Sequence, residues 1–157
     1  MTDEEYMQVA LAEAEQAGES GEVPVGAVIV KNGDIIARGR NMRVFTPDAT
    51  AHAEVAAIRQ ACKRLGRWNL SDCDLYVTLE PCMMCAGAIV YSRIRRVVFG
   101  AYDKRFGCAG SVYNLTADEK FNHRAQVTGG VLEDECLAPI REFFRARRKS
   151  SAFPVEE

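Results

Sequence analysis

Two short segments of the chain carry residue types that bind metals or transfer protons. Cys82 and Cys85 follow Pro81 in the segment LYVTLEPCMMCAGAIVYSR. Upstream, the segment ATAHAEVAAIRQA contains His52 and Glu54, and His52 is one of only two histidines in the chain. Thiolates and imidazoles are the preferred ligands of zinc, and a carboxylate that is not a ligand can carry protons. The two segments together therefore offer a metal site with an acid beside it.

The two cysteines are three positions apart at the predicted start of a helix. This spacing places both sulfurs on one face of the first turn, near the positive end of the helix dipole. Such a position lowers a thiol pKa and favours the thiolate. Taken alone, however, the C-x-x-C pattern is equally compatible with a redox pair, with half of a structural zinc site, and with no function.

His52 and Glu54 decide between these alternatives. Side chains two positions apart point to opposite sides of a regular helix, but in the first turn both lean toward the N-terminus and can reach past the helix end. Two helix N-termini can then meet, one with an imidazole and a carboxylate and the other with two thiolates. A structural zinc site has four protein ligands, whereas His52, Cys82 and Cys85 are three and leave the fourth position to water.

Zinc lowers the pKa of a bound water from about 16 to about 7, and a neighbouring acid can then shuttle its proton. This arrangement predicts metal-assisted hydrolysis with Glu54 as the proton carrier. The simpler alternative is that His52 caps a helix and that Glu54 is a solvated surface acid.

The elements that must position these residues follow from apolar periodicity and turn signals. A first amphipathic helix is predicted to end at Gly18. Asn32-Gly33 between two apolar runs predicts a β-hairpin. A second helix has one apolar face, with Thr50 as its candidate N-cap and Gly66 as its end. The apolar positions of the two helices are Met7, Ala10, Leu11, Ala14 and Ala17 in the first, and Val55, Ile58, Cys62 and Leu65 in the second.

The second half of the chain predicts a crossover unit. Residues 75–79 form a strand, Pro81 takes the first position of a third helix, and residues 96–100 form a strand parallel to the first. A short strand at 126–128 and a helix over 133–149 follow, and Pro139 is expected to kink or restart that helix. The sequence therefore predicts one three-layer α/β domain over residues 1–157.

Composition excludes several classes of protein. The 157 residues are 48% hydrophobic and 27% charged, which is typical of globular domains. The sequence contains no run of 18 apolar residues, the length that would indicate a membrane span. The acidic N-terminus does not resemble a secretory signal, so we expect a cytoplasmic protein. In that reducing compartment the six cysteines predict metal or catalytic use rather than disulfides, and the four outside C-x-x-C are interpreted as buried apolar residues. A net charge of −2 argues against a globally basic nucleic-acid binder, although Arg141 to Lys149 holds five bases and one acid.

The pattern H-x-E followed by P-C-x-x-C is the signature of the zinc deaminases, the cytidine/deoxycytidylate deaminase superfamily. Over nearly its whole length the chain also resembles the bacterial tRNA-specific adenosine deaminases. The zinc motif specifies only the superfamily, whereas Asn41, the FNHR segment and the basic end of the last helix narrow the resemblance. The matching segments are Glu22 to Val28, Arg40 and Asn41, Thr50 to Glu54, Leu75 to Ala88, Ser92 to Asp103, Gly107 to Ser111, Phe121 to Arg124 and Asp134 to Arg148.

The resemblance implies a cytidine-deaminase-like α/β fold, with a five-stranded sheet between helices, and a homodimer with sites near the subunit interface. It implies that His52, Cys82 and Cys85 hold one Zn²⁺ per chain. Glu54 would take a proton from the zinc water and deliver it to adenine N1 and then to the departing amine. Hydroxide would attack C6, so that adenosine at the wobble position of a tRNA anticodon becomes inosine.

The same resemblance implies how the tRNA anticodon stem-loop is bound. Asn41 would hydrogen-bond the flipped base, and Phe144 would stack on a neighbouring base. Three residues would line the path of the flanking nucleotides, and one of two arginines would contact phosphate. These residues are Asp103, Asn122 and His123 for the path, and Arg147 or Arg148 for the phosphate. The residues alone favour simpler interpretations, with Asn41 as a turn residue, His123 as a satisfied surface imidazole and Phe144 as a core residue of the last helix.

Two other functions remain open from the sequence. A small-molecule deaminase of the same superfamily, acting on guanine, cytosine or a nucleotide, would share the metal site but would not need the basic tail. A noncatalytic zinc or thiol-redox protein would share only the cysteines. A metal assay separates the second alternative, and the choice of substrate separates the first.

Overall fold

The computed structural model describes residues 1–150, which form four helices and five strands. In chain order these are α1 (Asp3–Glu19), β1 (Gly26–Lys31), β2 (Asp34–Arg40), α2 (Ala53–Leu65), β3 (Cys73–Leu79), α3 (Met83–Ser92), β4 (Arg96–Ala101), β5 (Gln126–Thr128) and α4 (Glu133–Ser150). The prediction for residues 151–157, which belong to the expected domain, lies outside this description.

The five strands form one sheet in the order β2-β1-β3-β4-β5. Asn32 and Gly33 turn the chain between β1 and β2 with φ values of 50° and 81°, the two positive values that a type I′ turn requires. The antiparallel pairing of β1 with β2 confirms the predicted hairpin. The parallel pairing of β3 with β4 confirms the crossover through α3. Helix α3 therefore begins just beyond the C-terminal end of β3, the central strand of the sheet.

Helices cover both faces of the sheet. Successive strand residues alternate between two apolar cores, because side chains of a strand point to opposite faces. One core joins α2 and α3 to residues such as Ile29, Leu75 and Val97, and the other joins α1 and α4 to Val28 and Val98. The expected three-layer fold with a five-stranded sheet between helices is confirmed.

Both helices of the candidate site begin two residues later than predicted. The N-cap of α2 is His52 rather than Thr50, whose hydroxyl instead donates to the Asp48 carboxylate at 2.7 Å. The N-cap of α3 is Cys82, so Pro81 precedes the helix and does not occupy its first position. The prediction for Gly66 is correct, since it ends α2 in the left-handed conformation with φ of 68°.

Strand β2 is an edge of the sheet, and α2 side chains cover its outward backbone groups. The Gln60 side-chain oxygen accepts the Arg38 N–H at 2.7 Å, and the Arg64 guanidinium donates to the Ile36 carbonyl at 3.1 Å. These two bonds satisfy polar groups that an exposed edge strand would offer to another strand.

The last helix continues through Pro139 from Glu133 to Ser150, so the predicted restart does not occur. Pro139 falls in the second turn, where its missing N–H removes one backbone hydrogen bond. Among the described residues, no helix has both the length and the apolar character that crossing a membrane requires.

Candidate active site

His52, Cys82 and Cys85 converge where the N-termini of α2 and α3 meet. Nδ1 of His52 lies 3.6 Å from Sγ of Cys82 and 3.6 Å from Sγ of Cys85. The three candidate ligand atoms all lie within 4.8 Å of one another. Because His52 and Cys82 are N-caps that make no capping hydrogen bond, their side chains are free to face each other. The group is positioned to hold a metal ion.

The spacing of these atoms fits zinc. With Zn–S near 2.3 Å and Zn–N near 2.0–2.1 Å, tetrahedral angles put nitrogen and sulfur ligands about 3.6 Å apart. Both observed nitrogen–sulfur distances have this value. One imidazole and two thiols are also the soft and intermediate ligands that zinc prefers over magnesium or calcium. The residues present therefore fit a three-ligand zinc site.

The electrostatics of the group favour a thiolate. A hydrogen bond from the Cys85 thiol, supported by His52, lowers the pKa of Cys82 to about 4. The pKa values of the two neighbouring residues are raised instead. The hydrogen bond to Cys82, together with burial, raises the pKa of Cys85, and the hydrogen bond to Cys82 raises the pKa of His52. Of the two thiols in the group, Cys82 is therefore the one favoured as a thiolate.

Glu54 lies beside this group and is almost completely buried, with 4% of its surface exposed. Burial raises the pKa of Glu54 to about 7, since the charged carboxylate is removed from water. A carboxyl group with a pKa near neutrality is suited to accept and return protons. The solvated surface acid considered as an alternative is therefore ruled out for this residue.

Asn41 follows β2 and ties the sheet to the start of α2. Its side-chain oxygen accepts the N–H of Ala53, the first residue of α2, at 3.0 Å. The amide is 8% exposed and borders the cleft in which Glu54 lies. Because the helix uses the oxygen, the Nδ2 group is the part of the amide that remains as a donor.

A cleft of about 1040 Å³ opens over the group formed by His52, Cys82 and Cys85. Its walls come from the loop after β2, the start of α3, the loop after β4 and one face of α4. The predicted residues that border it are His52, Cys82, Glu54, Asn41, Asp103 and Phe144. The cleft is large enough for a nucleoside and parts of its neighbours.

Glu80 organises one wall of the cleft, and the sequence analysis did not identify it. It is 2% exposed, and its carboxylate accepts the N–H groups of Asp103, Ala109 and Ser111 at 3.0–3.1 Å. The Ser111 hydroxyl also donates to it. A Cβ at Gly107 would collide with this carboxylate, so only glycine fits there. The sequence signal available was an acid next to P-C-x-x-C, which does not reveal distant backbone partners.

Glu22 plays the corresponding part on the opposite wall. It is 3% exposed and accepts the N–H of Val44 at 3.0 Å and of Phe45 at 2.7 Å. These residues belong to the loop after β2, which contributes Arg43 to the cleft. Two buried carboxylates therefore hold the loops on either side of the site.

The remaining predicted RNA-binding residues are arranged in two groups. Asn122 and His123 lie in the loop before β5 and are not among the residues that line the cleft, and His123 Nε2 is 2.7 Å from the Ile94 carbonyl. Arg147 donates to the Gly21 carbonyl and stacks over the Phe143 ring at 4.4 Å. Arg148 is an exposed residue of α4. The structure thus brings Asn41, Asp103 and Phe144 to the cleft and leaves the other four outside its lining.

Comparison with known proteins agrees with this geometry. The model of the MafB19-like deaminase family matches residues 1–148. A tRNA-specific adenosine deaminase of Bacillus subtilis strain 168 is 55% identical over 147 residues, which are 94% of this chain and 91% of that protein. A structure from a study of A-to-I editing by tRNA:A34 deaminases at the wobble position of transfer RNA is 46% identical, with a TM-score of 0.83, and the match covers 86% of this chain and 98% of that one.

A second solved structure is more distant. The guanine deaminase of Bacillus subtilis is 37% identical with a TM-score of 0.64, and the match covers 99% of both chains. Both the sequence identity and the TM-score are higher for the tRNA:A34 deaminase structure than for the guanine deaminase structure. The chain therefore belongs to the family of tRNA-specific adenosine deaminases, within the MafB19-like deaminases.

Proposed function

We propose that this chain catalyses hydrolytic deamination of adenosine to inosine at the wobble position of a tRNA anticodon, with release of ammonia. The observation that carries the proposal is the buried Glu54 beside the His52, Cys82 and Cys85 group, at the base of a nucleoside-sized cleft. Its relatives named tRNA-specific adenosine deaminases match nearly the whole chain.

We assign one Zn²⁺ per chain to His52, Cys82 and Cys85. When bound, the ion supplies Lewis-acid chemistry that generates a hydrolytic nucleophile at neutral pH. The protein contributes the rest. Glu54 would take a proton from water and deliver it to N1 of adenine, then take the second proton from the new C6 hydroxyl and give it to the leaving amine, so that one water is consumed and one ammonia is produced.

Asn41 positions the base. Its oxygen is fixed by Ala53 N–H, and its Nδ2 group donates to an acceptor of the flipped nucleobase. Because the amide is clamped to the helix, little side-chain freedom is lost when substrate binds. Asp103 and Phe144 border the same cleft and are assigned to the flanking nucleotides, with Asn122, His123, Arg147 and Arg148 as contacts further along the anticodon stem-loop.

The proposal is tested by incubating the protein with bulk tRNA and sequencing the products for A-to-G changes. We expect a change at wobble adenosines of the anticodon and much slower turnover of free adenosine, cytidine or guanine at equal concentration. The Glu54→Gln variant is the matched control for contaminating activity. Turnover of a free base without reaction on tRNA would overturn the substrate assignment.

Guanine deamination is the second candidate. It is favoured by the full-length match to the Bacillus subtilis guanine deaminase, which shares the overall fold at lower identity. The same assay with guanine in place of tRNA distinguishes it, because a small-molecule enzyme needs no contact to phosphates.

We also propose a homodimer that places its sites near the subunit interface. Exposed apolar side chains on α3 and beside it support this arrangement, since a patch of this kind marks an interaction surface. Met83 is 70%, Tyr91 80% and Trp68 62% exposed, and Met83 also borders the cleft. A Tyr91→Glu variant is expected to shift the molar mass by light scattering toward the monomer. We place the enzyme in the cytoplasm, where its tRNA substrate is found.

A further inference from the structure

The region around β2 and α2 carries positive charge that nearby acids do not neutralise. Residues 38–64 contain six basic and two acidic side chains, an excess of four positive charges in a chain whose net charge is −2. One of the two acids is Glu54, which is buried in the active site. The surface of this region is therefore basic although the protein as a whole is acidic.

Four residues define what we name the β2–α2 basic surface: Arg38, Arg59, Lys63 and Arg64. All four are exposed. Within the part of the chain that the structure describes, no ion pair within 4.0 Å involves any of them, and Arg64 donates only to the Ile36 carbonyl. Their charges are therefore not consumed by neighbouring carboxylates.

Several arginines elsewhere in the protein form ion pairs with carboxylates. Arg67 is bonded to Asp72 at 2.9 Å, Arg95 to Asp74 at 2.9 Å, and Arg96 to Asp3 at 2.8 Å. These three arginines are neutralised by neighbouring carboxylates, whereas the four residues of the β2–α2 basic surface keep their charge exposed to solvent.

A groove of about 450 Å³ lies along the β2 edge between α1 and α2. Arg38, Arg40 and Arg64 line it, together with one acid, Glu13. Arg40 forms an ion pair with Glu13 at 3.3 Å, so Arg38 and Arg64 remain as the uncompensated charges of the groove. The groove is a concave, cationic surface.

This surface adjoins the active-site cleft, because consecutive residues at the end of β2 line the groove and the cleft in turn. Asn41 and Arg43 line the cleft, whereas Arg40 and Met42, which alternate with them, line the groove. His52, the N-cap of α2, lies in the candidate active site, and a rise of about 1.5 Å per residue places Arg59 about 10 Å and Lys63 about 16 Å from it along the helix. Hydrogen bonds from Thr50 and, more weakly, the charge of Arg59 lower the pKa of Asp48, which places Arg59 beside the loop that follows β2.

We propose that the β2–α2 basic surface binds backbone phosphates of the RNA outside the nucleotides that enter the cleft. The proposal rests on the proposed function for the identity of the RNA. A nucleic acid strand carries a phosphate about every 3.4 Å of its axis, so a row of cations extending 10–16 Å from the site spans several phosphates. Arginine and lysine at such positions position the nucleic acid and contribute affinity without reading its sequence.

The test compares two triple variants that remove the same charge. The first is Arg38→Ala/Arg59→Ala/Lys63→Ala. The control is Lys31→Ala/Arg67→Ala/Arg95→Ala, whose residues pair with Asp72 or Asp74 at the start of β3, whereas the active site follows the end of that strand. Thermal melting and zinc content establish that both variants are folded.

Binding is measured by fluorescence anisotropy with a transcribed tRNA that bears adenosine at the wobble position, from about 50 to 200 mM KCl. We expect the first triple to bind at least about tenfold more weakly and to reduce the slope of log K against log salt by about two to three, and the control to match wild type. Equal slopes for wild type and the first triple, or an equal loss in the control, would overturn the proposal.

The same preparations separate this proposal from the proposed function. If the wild-type chain deaminates the tRNA but the first triple keeps its salt slope, the surface assignment is wrong and the function stands. If the wild-type chain does not deaminate it but only the first triple loses slope, the surface binds RNA and the substrate assignment is wrong.

Discussion

The Glu80 carboxylate accepts the backbone N–H of Ala109 at 3.0 Å across 29 residues of sequence. This bond fixes the loop after β4 to the residue that stands two positions before Cys82. Because Cys108 N–H also donates to the Pro81 carbonyl at 2.7 Å, the wall of the cleft is tied by two hydrogen bonds to the segment that leads into Cys82.

Glu80→Gln is expected to loosen this loop. The amide group cannot accept all the hydrogen bonds that the carboxylate accepts, and an unsatisfied buried group costs about 1–3 kcal/mol. Hydrogen exchange should therefore accelerate at the backbone amides of Ala109 and Ser111, and KM for tRNA should rise more than kcat falls.

Glu22→Gln is the matched control, because it also replaces a buried carboxylate that accepts loop amides. Its exchange should accelerate at Val44 and Phe45 and not at Ala109. Identical exchange patterns in the two variants would show general destabilisation instead of two separate loop anchors.

The metal assignment predicts the effect of losing a thiolate. Cys82→Ser and Cys85→Ser should each lose most of the zinc, because a serine hydroxyl is a weak zinc ligand beside a thiolate. Metal content per chain by mass spectrometry of the purified proteins measures this. Cys62→Ser, a half-buried cysteine outside the group, is the control, and full occupancy in both ligand variants would contradict the assignment.

Glu54→Gln separates the proton carrier from the ligands. The variant should keep its zinc and its fold and lose about 10²–10⁴-fold in turnover, which is the usual contribution of a general acid–base group. Single-turnover deamination with saturating enzyme gives the value. Loss of zinc in this variant would make Glu54 a ligand, and normal turnover would exclude it as the proton carrier.

Two substitutions of Asn41 divide its two roles. Asn41→Ala removes both the acceptor for Ala53 N–H and the Nδ2 donor, so stability should fall by about 1 kcal/mol along with activity. Asn41→Asp keeps an acceptor at the N-terminus of α2, where negative charge is favourable, but removes the donor. We expect near-normal thermal stability and strongly reduced kcat/KM for Asn41→Asp; wild-type kcat/KM would show that the base is not bound there.

The Asp3–Arg96 pair predicts a pH dependence of stability. The Arg96 guanidinium, assisted by Tyr76, holds the pKa of Asp3 below its ordinary value. A lowered folded-state pKa stabilises above the unfolded pKa of about 3.9, and this contribution disappears as pH falls through the folded value. Asp3→Asn should therefore lower the urea midpoint at pH 7 and differ little from wild type near pH 2. Asp34→Asn, on an exposed acid, should lower the midpoint at neither pH.

Local patterns predicted most of the fold. The backbone preferences of Asn32-Gly33 specify the turn of the hairpin. The strand–helix–strand order around Cys82 allows one hand for the crossover between the two parallel strands. The cap predictions at Thr50 and Pro81 were wrong because the start of a helix depends on which neighbouring side chain finds a partner. Here Asp48 binds Thr50, and the capping bond of α2 comes from Asn41.

Site residues whose side-chain types form a recognisable motif could be predicted from the sequence. Site residues that act by binding the backbone of distant loops could not. His52, Glu54, Cys82 and Cys85 are identified by type and spacing. The sequence did not predict Glu22 and Glu80, because their hydrogen-bond partners are backbone N–H groups of loops, which every residue except proline possesses. Asn122 and His123 were assigned to the nucleotide path by resemblance, and the loop before β5 leaves them outside the cleft lining.

The covered edge of β2 restricts how two copies of the chain can associate. Gln60 and Arg64 occupy the backbone groups through which a second β2 strand would extend the sheet. The opposite edge strand, β5, is only three residues long and offers a short ladder. A symmetric assembly built on a continuous ten-stranded sheet is therefore disfavoured, and in the homodimer that we propose the subunits would meet through helices and loops, the elements that also carry the proposed catalytic groups.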